Sequence, residues 1–220
     1  MAQVVVFDVN ETLSDMAPLA DRFADVGAPR ALAKLWFAAL LRDGFARTAA
    51  GESERFVVLA DGELRVVLHG VALDRPVDDA VAHILDGFMA LSCHPDVPAG
   101  VRALRARGLR LVTMSNGAAA VAEKLLGDAG LRDEFENVLS VEDAGVWKPA
   151  PGSYGYVAEV CGVAPAELLM VAVHPWDLDG AARAGLRTAW VNRAGGPYPT
   201  WCRPPDYAVA SLDLLADALG

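Results

Sequence analysis

Polar residues able to do chemistry gather in four short clusters: Asp8-Val9-Asn10-Glu11-Thr12, Thr113-Met114-Ser115-Asn116-Gly117, Lys148-Pro149 and His174-Pro175-Trp176-Asp177. A carboxylate such as Asp8 is a competent covalent nucleophile. A lysine nearby keeps it ionised, because an opposite charge favours the charged form; Lys148 has the right type for that task. Ser115, Asn116 and the free N–H groups that begin the following helix offer a seat for an anion. Asp177 can pair with Lys148 or contribute to a metal site. Singly, each residue has a plainer role: Asp8 as the end of a turn, Ser115 and Asp177 as helix N-caps, Tyr154 as core packing. Their arrangement has to decide.

The elements that would position them alternate. Residues 3–7 form a short β-branched run that ends at Asp8 and reads as a strand buried on both faces. Helical periodicity then runs to about residue 91, broken near Gly27, Gly51 and Gly70. From Pro98 the text predicts helices over 99–107, 118–127, 153–161 and 178–184, with strands over 110–114, 138–139, 168–173 and 188–191 and a strand-helix pair over 207–218. Strands separated by helices mean βαβ units. The expectation is an α/β fold: a Rossmann-like, doubly wound, mostly parallel sheet with an inserted helical cap subdomain. Residues 1–13 and 96–220 would form the core and 14–95 the cap. All four polar clusters fall at predicted strand carboxyl ends, where open α/β sheets bind ligands.

Composition narrows the function. The 220 residues are 54% hydrophobic and 22% charged, with 19 Lys plus Arg against 29 Asp plus Glu, a formal net charge of -10. That composition is globular, and no basic run interleaved with aromatics suggests nucleic acid as a partner. No leader pattern and no uninterrupted apolar stretch of membrane-spanning length is visible, so the expectation is a cytoplasmic protein without membrane contact. Cys93, Cys161 and Cys202 have neither disulfide nor zinc-site spacing.

The four clusters, in this order, resemble the motifs of the haloacid dehalogenase superfamily over nearly the whole chain. FDVNETLSD, MSNG, WKPAPGSYGY and HPWDLDGAARAGLRTAWVNR are similar to its type II 2-haloacid dehalogenase branch. The resemblance implies that Asp8 attacks carbon 2 of a small 2-haloalkanoate, releasing halide and leaving an aspartyl ester that water hydrolyses. It also implies catalytic or supporting positions for Thr12, Lys148 and Asp177, and substrate-side positions for Ser115, Asn116, Tyr154 and Trp176.

The chain departs from the pattern at defined places. Phosphatase members carry a general acid two residues after the nucleophile, where this chain has Asn10, and an amide cannot transfer that proton. They place a further Mg²⁺-binding acid where this chain has Val173. No metal or other cofactor is therefore expected; under an alternative Mg²⁺-dependent phosphatase reading, Asp8, Asn10 and Asp177 would hold the ion. In the dehalogenase branch the residue after a cap tryptophan is a halide-binding arginine. If Trp36 is that tryptophan, its follower is Phe37, with Arg42 or Arg47 as replacement. Phe37, Arg42 and Asn10 are accordingly assigned to the substrate site. The family's serine and asparagine on the fourth strand are Ala172 and His174 here. A neutral His174 beside Asp177 would activate the hydrolytic water. A third reading makes the protein a catalytically idle ligand-binding member. A homodimer is common in the family, although no residue here marks an interface.

Overall fold

The computed structural model describes residues 3–220, so positions 1 and 2 of the expected core segment 1–13 lie outside the described residues. After β1 (Val4–Phe7) come α1 (Leu19–Ala24), α2 (Leu32–Ala49), α3 (Phe56–Val67) and α4 (Val77–Met89). The chain continues through α5 (Val97–Ala106), β2 (Arg110–Ser115), α6 (Ala119–Asp128), β3 (Asn137–Ser140), α7 (Val141–Ala144), α8 (Pro151–Cys161), β4 (Leu168–Ala172), α9 (Pro175–Arg183), β5 (Arg187–Val191), β6 (Tyr207–Val209) and α10 (Leu215–Ala218).

The strands form one six-stranded sheet in the order β3-β2-β1-β4-β5-β6, and every pairing is parallel. The chain leaves β1 in one direction, toward β2 and β3, and then crosses to β4 on the other side. A crevice opens at the carboxyl ends of β1 and β4, where the strand order reverses. The register is flush there, with Phe7 opposite Thr113 on β2 and Val171 on β4. Asp8 therefore emerges level with the ends of both neighbours.

Strand period explains why β1 is apolar throughout. Val4 and Val6 face a core shared with Met114, Met170 and the helices α1 to α4, whereas Val5 and Phe7 face Val101, Leu104 and Leu125 of α5 and α6. The helical insert thus shares one continuous core with one face of the sheet. Trp36 is fully buried at its centre, packed edge-on against Phe88 and donating its indole N–H to the Ala60 carbonyl at 3.0 Å. Where the chain enters and leaves the insert, Ser14 and Cys93 form an antiparallel bridge, flanked by Asp15 N–H donating to the Ser92 carbonyl and His94 N–H to the Leu13 carbonyl.

The sequence pattern and the structure differ at β4 and α9. The strand stops at Ala172, and the helix begins at Pro175 rather than at residue 178. Proline lacks the N–H that a first helical position leaves unpaired, and its fixed φ suits the helix. His174 is the residue before the first turn, and Trp176 and Asp177 lie within that turn. Among the described residues no helix is long and apolar enough to cross a membrane, and the cysteines are free.

Candidate active site

Asp8 follows β1, is buried, and receives donors on both oxygens. Lys148 Nζ donates to Oδ1 at 2.9 Å, while Thr12 Oγ1 donates to Oδ2 at 2.6 Å and His174 Nδ1 lies 3.0 Å from the same Oδ2. Thr12 is itself oriented, because its oxygen accepts the Val173 backbone N–H at 3.1 Å and so must turn its proton toward Asp8. Burial raises the Asp8 pKa, but Lys148 and then His174 outweigh it and hold the carboxyl far below the usual carboxylate range. Asp8 is an anion at any working pH.

Lys148 is fully buried and also donates to Asp177 Oδ2 at 2.7 Å. Burial pushes its pKa down, yet Asp177 and Asp8 together carry it above the ordinary value. Its backbone is clamped by Asn116, whose Oδ1 accepts the Lys148 N–H at 3.0 Å and whose Nδ2 donates to the Lys148 carbonyl at 3.3 Å. The Lys148-Pro149 peptide is cis. Asp177 is buried too; its other oxygen accepts the Tyr154 hydroxyl at 2.7 Å. Burial raises the Asp177 pKa, Lys148 opposes that, and the Asp8 charge adds to the rise. Tyr154 reaches Asp177 because Gly180 lacks a side chain: a Cβ there would meet the Tyr154 hydroxyl at 2.7 Å.

Ser115 is buried at the end of β2, and its Oγ accepts the Gly117 N–H at 2.9 Å. A Cβ at Gly117 would lie 3.3 Å from Ser115 Oγ and 3.5 Å from Asn10 Nδ2, so these two donors border the same small space. Asn10, also buried, brings an amide rather than an acid to Asp8's side of the crevice.

The structure thus brings together Asp8, Thr12, Lys148, Asp177, His174, Asn10 and Ser115. Asn116 and Tyr154 act through Lys148 and Asp177. Trp176 stacks on the His174 ring with centroids 5.1 Å apart, and Phe45 of α2 meets Trp176 edge-on at 4.9 Å. Phe37 lines a cleft of about 960 Å³ that also has Glu11 and His174 on its wall. Arg42 is not brought to the site: it is 65% exposed and pairs with Asp43 at 2.6 Å. Arg47 pairs with Glu52. The lysine and arginine side chains on the cleft wall are Arg30, Lys34 and Arg193 instead.

The role expected of His174 needs correction. Its ring does not meet Asp177. Nδ1 faces Asp8 Oδ2 and Nε2 lies 2.8 Å from Glu11 Oε2. Carboxylates only accept, so both ring nitrogens donate and the ring is an imidazolium. Burial opposes its charge, but Asp8 and Glu11 raise the pKa to about 9. A ring already protonated cannot take a proton from water.

The residues do not fit Mg²⁺. Asp8 and Asp177, two of the three residues that would hold the ion, are both already bonded to the Lys148 ammonium. Val173 adds no oxygen, and no group of three or more acidic, His or Cys side chains has metal-holding geometry among the described residues.

Sequence reasoning missed Glu11 and His94. Glu11 sits inside the nucleophile motif, yet nothing in the pattern tells which way it points. His94 Nε2 lies 3.0 Å from the Glu11 carbonyl although 83 residues separate them.

With this geometry in place, comparison with known proteins is direct. A family model for haloacid dehalogenase-like hydrolases matches residues 2–185. The chain belongs to that family. It is 28% identical over 215 residues to haloacetate dehalogenase H-2 of Moraxella sp. (strain B), covering 97% of this chain and 96% of that protein. It is 32% identical over 195 residues to the (S)-2-haloacid dehalogenase of Xanthobacter autotrophicus, covering 88% of this chain and 76% of the relative. Among solved structures, the L-2-haloacid dehalogenase of Xanthobacter autotrophicus with chloropropionic acid covalently bound superposes with a TM-score of 0.88 at 27% identity, covering 100% of this chain and 98% of that one. A dehalogenase with an intermediate complex gives a TM-score of 0.91 at 29% identity, covering 99% of this chain and 96% of that one.

Proposed function

We propose that this protein hydrolyses the carbon–halogen bond of a small 2-haloalkanoate through an ester on Asp8. The observation that carries this reading is Asp8 itself: a buried carboxylate kept ionised by Lys148 at 2.9 Å, at the switch point of the sheet, with no acid at position 10 and with Lys148 bonded to both it and Asp177. The relatives' names point to the same substrate class.

The two Asp8 oxygens are unequally used. Oδ2 receives Thr12 and His174, whereas Oδ1 receives Lys148 alone, so Oδ1 keeps a lone pair for attack. It displaces halide from carbon 2, and the pair of electrons in that bond leaves with the halide. Asn10 Nδ2 and Ser115 Oγ, bordering one space, seat the substrate carboxylate. Water then adds to the Asp8 carbonyl carbon and gives its proton to Asp177, whose raised pKa suits a base. The bond from that carbon to Oδ1 breaks, and the departing oxygen takes the proton back as the hydroxyl of a 2-hydroxy acid; Asp8, left as a carboxylic acid with its pKa held low by Lys148, releases the second water proton to solvent and is a carboxylate again. No metal takes part. Residues 1–13 and 96–220 serve as the catalytic core and 14–95 as a cap over the strand ends.

Halide release from 2-chloro- and 2-bromoalkanoates, with excess chelator, tests the proposal. Release that survives chelation and vanishes in Asp8→Asn supports it. Activity confined to a phosphate ester with added Mg²⁺ contradicts it.

A further inference from the structure

Glu11 is the only non-glycine residue with positive φ among the described residues, at 62°. That backbone is costly for a residue with a long side chain and is maintained only where the surroundings fix it. Two contacts fix it here. Ser14 Oγ accepts the Glu11 N–H at 3.3 Å, and His94 Nε2 holds the Glu11 carbonyl at 3.0 Å. The outcome is a carboxylate turned back against the nucleophile's own neighbour, 2.8 Å from His174 Nε2. The Glu11 side chain is 43% exposed to the cleft, while that of His174 is 13% exposed. The imidazole is held on three sides: by Asp8 at one nitrogen, Glu11 at the other, and Trp176 stacked on its face.

We propose that Glu11 is a positioning residue that keeps the His174 imidazolium on Asp8 Oδ2, so that Thr12 and His174 form a two-donor cradle for that oxygen during ester hydrolysis. The inference rests on the reading of Asp8 as the ester-forming nucleophile. While Asp8 is a free carboxylate it binds His174 unaided. Once Oδ1 is bonded to the substrate carbon, Asp8 is neutral and no longer holds a cation. A buried imidazolium with no other anion beside it would give up its proton. Glu11 prevents that. When water adds to the ester carbon, the carbonyl electrons move onto Oδ2, and the two donors already aimed at Oδ2 stabilise the charge without rearrangement. On collapse those electrons return to the carbonyl, the bond to Oδ1 breaks, and the 2-hydroxy acid leaves with the proton that Asp177 held. The titratable groups that meet the ring are Asp8, just after β1, and Glu11 in the same loop, with His94 and Arg193 farther along the cleft wall.

Single-turnover reactions of wild type, Glu11→Gly and Glu11→Gln with 2-bromopropionate test this, reading halide release and the alkylated Asp8 peptide by mass spectrometry. Glycine adopts positive φ freely, so Glu11→Gly removes the carboxylate without disturbing the turn; Gln keeps the side chain and drops the charge. The expected result is a halide burst close to wild type in both variants, with the ester persisting about 100-fold longer in Glu11→Gly and less so in Glu11→Gln. A merely structural residue would slow both steps together or neither. Ester turnover at the wild-type rate in both variants overturns the inference while leaving the dehalogenase reading intact. Wild type that yields neither halide nor ester overturns that reading, and the inference with it.

Discussion

The two sides of the His174 ring present opposite chemistry. Toward β1, Asp8, Lys148 and Asp177 are buried, close and fully bonded, with a Nζ to carboxylate spacing of 2.9 Å on one side and 2.7 Å on the other. Toward the helical insert lies a cleft of about 960 Å³ with an apolar wall that includes Phe37, Leu41 and Trp190, and with Arg30, Lys34 and Arg193 spaced along it. The first region has no tolerance for change, since each charge there is compensated by another. The second has room. On the proposed function, the strand ends would set reactivity and the cleft between them and the insert would choose the substrate.

The largest effect should follow from breaking the ion cluster. Lys148→Met leaves two buried carboxylates without their common cation; the unfolding free energy should fall by about 3–5 kcal/mol, read by denaturant titration, and halide release should vanish. A stable and active Lys148→Met protein would mean that Asp8 is kept ionised by something else.

Next comes the boundary between the regions. His174 has its folded pKa raised to about 9 from 6.5. Its stabilising contribution is complete below about pH 6.5, declines as pH rises, and is gone above about 9. Thermal melts should show the midpoint falling across that window in wild type and a flatter profile in His174→Gln. The Asp8 pKa is lowered, so its contribution has the opposite sense: it is present at neutral pH and lost only as pH falls below about 4.

On the cleft side, Phe37→Ala should shift kcat/KM toward bulkier 2-haloalkanoates, by about tenfold relative to the smallest one. A ratio that stays put would show that the cleft does not choose substrates. The smallest effect is expected at Arg42, which is exposed and paired with Asp43; Arg42→Ala should leave kcat within about twofold of wild type and stability within about 0.5 kcal/mol.

The same contrast explains what could be read in advance. Asp8, Ser115 and Asp177 were legible because each lies at or just beyond the end of an apolar strand pattern, and parallel strands with flush registers bring such ends together whatever their separation in sequence; Lys148 lies instead in the loop beyond α7, not at the end of β3. The buried runs Val4–Phe7 and Leu168–Ala172 predicted the sheet for the same reason. Side-chain direction was not legible. Arg42 stands in the same helix as Phe37, yet it turns outward to Asp43 while Phe37 faces the cleft, because α2 packs its Trp36 face inward. His174 could be placed at a strand end but not between two carboxylates, since its second partner depends on the φ of 62° at Glu11, and no spacing rule encodes that angle. His94, on the far side of the insert in sequence, comes back to the Glu11 carbonyl only because Ser14 and Cys93 bridge.

A bond from Asp8 to the substrate carbon separates this chemistry from direct attack by water. One turnover in water enriched in oxygen-18, with enzyme in excess over a 2-haloalkanoate, tests it most directly. The product hydroxyl should carry ordinary oxygen, taken from Asp8 Oδ1, and the peptide containing Asp8 should gain the heavy oxygen. Heavy oxygen in the product and an unlabelled Asp8 peptide would mean that water attacks the substrate itself, and would contradict it.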